Sequence, residues 1–117
     1  MRRRLITLAT AAMVALAMAV PAGATDLHSA HVGTSCEHGG VFHFVENGTD
    51  GATSTLTVVF SNGDVYSDTP DKSNNGTNHW FVSSGAGATV VSASTTIDAN
   101  KLVISDFECR DGKKVKK

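Results

Sequence analysis

The sequence predicts an all-β domain, a small antiparallel β-sandwich of six to seven strands closed by one disulfide. Three observations carry that expectation. From Val41 onward apolar and polar residues alternate with a period of two, and no i, i+3, i+4, i+7 apolar stripe of helical length occurs. Turn-forming residues recur every eight to twelve positions. The two cysteines, Cys36 and Cys109, bracket the patterned region.

In chain order, the first element is not part of the fold. Residues 1–24 have the three parts of a secretory signal: basic Arg2, Arg3 and Arg4, an apolar run over 5–20, and the small-residue end Pro21-Ala22-Gly23-Ala24. Cleavage is expected after Ala24. The run is shorter than the roughly 20 apolar residues that span a bilayer, so no membrane span is expected. Residues 25–110 then form the sandwich domain and 111–117 a basic C-terminal tail.

Strands are predicted at about 41–45, 54–60, 65–69, 78–83, 88–96 and 101–108, with a possible extra one near 27–32. The clearest local signal is Leu56, Val58 and Phe60 alternating with Thr55 and Thr57 and running into Asn62-Gly63, which supplies a type I′ or bulged hairpin turn. A second hairpin is expected through Asp98-Ala99-Asn100, a polar loop over 70–77 and a break over 85–87. Pro70 lies outside every predicted strand, as ladder hydrogen bonding requires.

Two strands carry apolar groups on both faces. Phe42 and Phe44 oppose Val41, His43 and Val45; Trp80 and Val82 oppose His79 and Phe81. One face of each must lie inside, and the other is then an unusually apolar outer surface. His79, Trp80 and Phe81 are therefore the candidate ligand-binding residues.

An even cysteine pair in an exported chain reads as a disulfide, which brings the segment before the first strong strand beside the end of the last. After removal of the signal the chain holds seven basic and eleven acidic side chains, a net charge of −4. Four of those basic groups lie in 113–117, so the body is strongly acidic, a poor match for a phosphate backbone; nucleic acid is excluded as a partner.

The catalytic signatures are missing. There is no G-x-S-x-G, no H-E-x-x-H, no phosphate-cradling glycine loop and no thiol left free by the disulfide, so no enzyme activity and no cofactor are expected. Glu46, Asp50 and Asp106 are carboxylates that could pair with a histidine if the fold allowed. Two weak metal candidates stand out. Asp71, Ser73 and Asn75 match the first half of a calcium loop, but Val82 occupies the position where a bidentate acid is needed. His43 and His79, in strands beside aromatic residues, could face each other across a sheet. The plainer reading is that both are half-buried and hydrogen-bonded, and that His28, His31 and His38 are solvated. Asn47-Gly48-Thr49 and Asn75-Gly76-Thr77 fit the glycosylation sequon and are read as turn residues.

The aromatic strand patterns Val41-Phe42-His43-Phe44-Val45, Thr55 to Phe60 with Asn62-Gly63, Asn78-His79-Trp80-Phe81-Val82 and Gly87-Ala88-Thr89-Val90-Val91, closed by Cys109, resemble small β-sandwich modules of secreted and cell-surface proteins of actinobacterial type. That resemblance implies an extracellular immunoglobulin- or prealbumin-like unit with no catalytic residues to carry over. The expected function is that of a secreted, non-enzymatic binding module, in some cases surface-associated, whose partner is an extracellular protein or a glycan or cell-wall polymer. The alternatives are a small inhibitor of an extracellular hydrolase and a metal-binding secreted protein.

Overall fold

The computed structural model describes residues 24–110 and 114–116. The expected signal, apart from Ala24, lies outside the described residues, as do 111–113 and 117 of the tail. Nine strands occur among the described residues: β1 (Thr25–Asp26), β2 (Gly40–Asn47), β3 (Leu56–Phe60), β4 (Val65–Asp68), β5 (Lys72–Asn74), β6 (Thr77–Ser84), β7 (Val90–Thr95), β8 (Lys101–Cys109) and β9 (Lys114–Lys116). They form two antiparallel sheets, ordered β1-β7-β3-β4 and β5-β6-β2-β8-β9.

The all-β class and the disulfide are as predicted; the strand count is higher than six to seven. The additions are β1, β5 and β9, of two, three and three residues, too short for a period-two pattern to register. Part of the C-terminal tail thus joins the sheet, with Lys114 and Lys116 in register with Glu108 and Asp106. The possible strand near 27–32 is instead a single bridge from Leu27 to Leu102 followed by a 3₁₀ turn at Ser29–His31.

Alternation on the long strands assigns the core. β2 turns Phe42 and Phe44 inward, β6 turns in Trp80 and Val82, and β8 turns in Leu102 and Ile104; Leu56, Val58 and Phe60 of β3 with Val90 and Ala93 of β7 meet them from the other sheet. Phe42 packs against Phe60 and Phe107 at ring-centroid distances of 6.2 and 5.6 Å, joining the layers. The Trp80 indole N–H donates to the Asp68 carbonyl at 3.1 Å, a bond from β6 to β4 across the sandwich.

One irregularity bears on function. His43 pairs with Asp106 and Phe44 with Ile104, so Ser105 is an extra residue on β8. This β-bulge reverses the inward and outward sense beyond it. Phe107 and Cys109 turn into the core, while Asp106, which strict alternation from Ile104 would bury, turns to the outer face.

Turn chemistry explains some connections and misleads about another. Between β3 and β4, Gly63 has φ +95°, its N–H bonds the Phe60 carbonyl at 3.0 Å, and the Phe60 N–H bonds the Asp64 carbonyl at 2.9 Å; this is the bulged form of the predicted hairpin. Residues 70–77 are not a loop throughout, because β5 pairs with β6 through a two-residue turn in which Asn75 (φ +48°) and Gly76 (φ +78°) are both left-handed, as a type I′ turn demands. Asp98-Ala99-Asn100 does not close a hairpin: β7 pairs with β3 and β1, β8 with β2, and the segment carries the chain from one sheet to the other. Asp and Asn favour a change of direction but do not say which strand follows.

At one end of the sandwich, Cys36 and Cys109 are joined with Cα atoms 5.2 Å apart. Gly40, the register partner of Cys109, has no room for a side chain: a Cβ there would lie 2.9 Å from both the Cys36 sulfur and the Cys109 Cα. At the other end, Glu46 points inward and is fully enclosed. Its carboxylate accepts hydrogen bonds from the Thr95 hydroxyl of β7 and, at 3.2 Å, from the Asn78 amide of β6, which also donates to the Ala52 carbonyl at 3.0 Å. This polar tie is the counterpart of the covalent one.

Candidate functional site

The outer face of the five-stranded sheet gathers the residues with chemical potential. Pairing of β2 with β6 sets His43 opposite Phe81 and Val45 opposite His79; pairing of β2 with β8 sets His43 opposite Asp106. His43 lies at the centre. Its ring stacks on Phe81 at 4.5 Å between centroids and 17° between planes, its Nδ1 lies 3.3 Å from Asp106 Oδ2, and its Nε2 lies 2.9 Å from His79 Nδ1.

Donor and acceptor capacity orders this chain. A carboxylate can only accept, so Nδ1 of His43 carries the proton that faces Asp106. In the neutral ring Nε2 is then an acceptor, and His79 Nδ1 donates to it. The arrangement is a relay, Asp106 to His43 to His79, laid across three adjacent strands. Burial first, then the neighbouring His43, then the Lys72 ammonium hold the His79 imidazole below its ordinary 6.5.

This shift has a consequence for stability. Because the folded state resists protonating His79 while the unfolded chain does not, the unfolded state binds more protons between the two pKa values. The contribution of His79 is complete above pH 6.5 and is lost as the pH falls through the lower folded value. A melting-temperature series should therefore decline on acidification from pH 7, and His79→Gln should flatten the part of that decline just below pH 6.5. An unchanged slope in the variant would refute the assignment.

The sequence-predicted residues divide between the two faces. His79 and Phe81 lie on the outer surface, Phe81 being 49% exposed, but Trp80 is wholly buried and belongs to the core. Trp80 cannot touch a ligand on this face. Adjacent strand residues always point to opposite sides, and the larger, less polar pair Trp80 and Val82 is the one buried. Of the three carboxylates considered as histidine partners, Asp106 reaches one through the bulge; Glu46 is committed to Thr95 and Asn78, and Asp50 sits on an exposed turn with φ +52°.

The calcium-loop candidates are spent on local structure. The Asp71 carboxylate accepts the Phe81 N–H at 2.8 Å, the Ser73 hydroxyl donates to Asn78 at 2.6 Å, and Asn75 occupies the turn. No cluster of three or more His, Cys, Asp or Glu side chains suited to a metal occurs among the described residues. Of the N-terminal histidines, His28 Nδ1 accepts the Ala30 N–H and His31 Nδ1 the Ile104 N–H, so each has a structural role.

Val41, which alternation with Phe42 sets on the same face as His43, was not among the candidate binding residues, yet it is 40% exposed and one pleat step from the His43–Phe81 pair. Among the described residues no helix is long and apolar enough to cross a membrane. No protein-family model, no curated protein and no solved structure matches this chain.

Proposed function

We propose that this chain is a secreted, non-enzymatic binding module that engages an extracellular protein or an envelope glycan through the outer face of its five-stranded sheet. One observation carries the reading: Phe81, stacked on His43, and Val41, two of the few large exposed apolar side chains, share the outer face of the paired strands β2 and β6 with His43 and His79. Aromatic groups with polar neighbours are the usual anchors of contact surfaces. Secretion is supported by the N-terminal signal pattern and by a disulfide of the kind that persists in oxidising compartments.

Phe81→Asp tests the surface. The side chain is half exposed, so the variant should keep the circular dichroism spectrum of the parent. Co-sedimentation with insoluble peptidoglycan sacculi and gel-shift titration with secreted proteins from culture medium should then show binding weakened by about tenfold or more, the cost typical of an interface anchor. Wild-type binding by Phe81→Asp would place the contact surface elsewhere.

A further inference from the structure

We propose that Asn75 is a site of spontaneous covalent modification, the Asn-Gly pair of this chain that converts to a succinimide and then to isoaspartate and aspartate in the folded protein. This goes beyond the binding role proposed above and does not depend on it.

The chain holds three Asn-Gly pairs, Asn47-Gly48, Asn62-Gly63 and Asn75-Gly76. Each has the local chemistry for the reaction, because glycine has no side chain to shield its backbone nitrogen from the preceding residue. The fold separates them. Asn47 ends β2 between its register partners Thr77 and Lys101, and the Gly48 N–H donates to the Gly76 carbonyl at 3.1 Å. Gly48 is also packed against Asn100, whose side chain lies 2.8 Å from where a Cβ would stand. Asn62 is held at both ends of its amide, accepting the Asp64 N–H at 2.9 Å and donating to the Asp64 carboxylate at 3.0 Å, while the Gly63 N–H donates to the Phe60 carbonyl at 3.0 Å. In both pairs the attacking nitrogen is occupied. At the third pair Asn75 is exposed, and neither its side chain nor the Gly76 N–H has a hydrogen-bond partner among the described residues.

Attack requires Asn75 to leave the left-handed conformation of its turn, φ +48°. The turn is closed by β5, a three-residue edge strand exposed along its whole length, the kind of element that opens locally at low cost. The Gly76 nitrogen, its proton passing to solvent base, then bonds to Asn75 Cγ; the Cγ–Nδ2 bond breaks, ammonia leaves and a five-membered succinimide forms. Water reopens the ring. Cleavage at Cγ gives aspartate, and cleavage at the backbone carbonyl gives isoaspartate, in which the main chain runs through the former side chain. The balance is one water in and one ammonia out, with no change of oxidation state.

The product acts on the fold. Isoaspartate adds a backbone atom to the two-residue turn that sets the β5–β6 register, Lys72 with His79 and Ser73 with Asn78. With β5 released, the Ser73 hydroxyl no longer donates to Asn78, the residue whose amide holds Glu46.

The test is to age the purified protein in mildly alkaline buffer, reduce it, digest it with trypsin and map it by mass spectrometry with electron-transfer fragmentation, which tells isoaspartate from aspartate. Cleavage after Lys72 separates residue 75 from residues 47 and 62. Conversion at 75 should run about tenfold or more faster than at 47 or 62, the factor that the hydrogen bonds guarding those pairs impose. In the reduced, urea-unfolded chain the three rates should converge. The melting temperature of the aged parent should fall by about 5 °C, the shift that one lost hydrogen bond gives a domain of this size. Asn75→Gly, which suits a positive φ and has no side-chain amide, should age without that fall. Conversion at 47 or 62 that matches or exceeds conversion at 75 in the folded protein would overturn the proposal, and an equal fall in aged Asn75→Gly would overturn the link to β5.

Discussion

Replacing both cysteines, as Cys36→Ala with Cys109→Ala, is expected to lower the unfolding free energy by about 4 kcal/mol, and the melting temperature by roughly 20 °C for a domain of this size. The pair closes a loop of 73 residues, nearly the whole described domain, so its removal frees the unfolded chain more than a short loop would. A small β-domain has a total stability of only about 5–15 kcal/mol, so this loss leaves it marginal. Urea unfolding followed by Trp80 fluorescence at fixed pH measures the change. A loss below about 1 kcal/mol would mean that the unfolded chain stays compact without the bridge, against the chain-entropy account. Reduction of the parent protein should reproduce the variant, because the same loop opens.

The second large effect is expected from Trp80→Ala, at about 3–5 kcal/mol, the range for truncating a buried tryptophan. The indole is wholly enclosed between the sheets. Its removal leaves a cavity and strips the Asp68 carbonyl of the N–H that joins β6 to β4. Trp80→Phe separates the two losses. It keeps most of the ring volume and removes the hydrogen bond, and should cost about 1–2 kcal/mol in the same urea experiment. If Trp80→Ala unfolded with the midpoint of the parent, the inward assignment of β6 would be wrong and the ligand-facing role would return to Trp80. The contrast with Phe81→Asp, one residue along the strand and expected to leave the fold intact, makes the two faces of β6 experimentally distinct.

How much of this site could be read from the chain depends on the range of the interaction involved. The two faces of the 78–82 segment are evident by inspection, and so is the pairing of His79 with Phe81 on one of them, because the pleat is local. Which face is inside is a different matter. Both carry apolar groups, and only packing against Leu56 and Val58 of the other sheet selects Trp80 and Val82. The meeting of His43 with His79 was an open option in the sequence, while the contribution of Asp106 was not separable from those of Glu46 and Asp50. It rests on a one-residue bulge at Ser105, and nothing in Ile104-Ser105-Asp106-Phe107 marks that residue as extra. The burial of Glu46 follows from alternation with Phe42 and Phe44, yet its partners Thr95 and Asn78 lie 49 and 32 positions away.

Read alone, then, the chain specifies what neighbouring residues impose on one another: an all-β pattern, a hairpin turn at Asn62-Gly63, the type of side chain on each strand face, and a cysteine pair fit to be joined. The folded molecule adds the choices that depend on distant partners: β7 and β8 in different sheets rather than one hairpin, β5 and β9 as edge strands, Trp80 in and Phe81 out, and Asp106 turned toward His43. Backbone preferences act over a few residues. Register and sheet membership are settled only when strands tens of residues apart compete for the same hydrogen bonds and the same core.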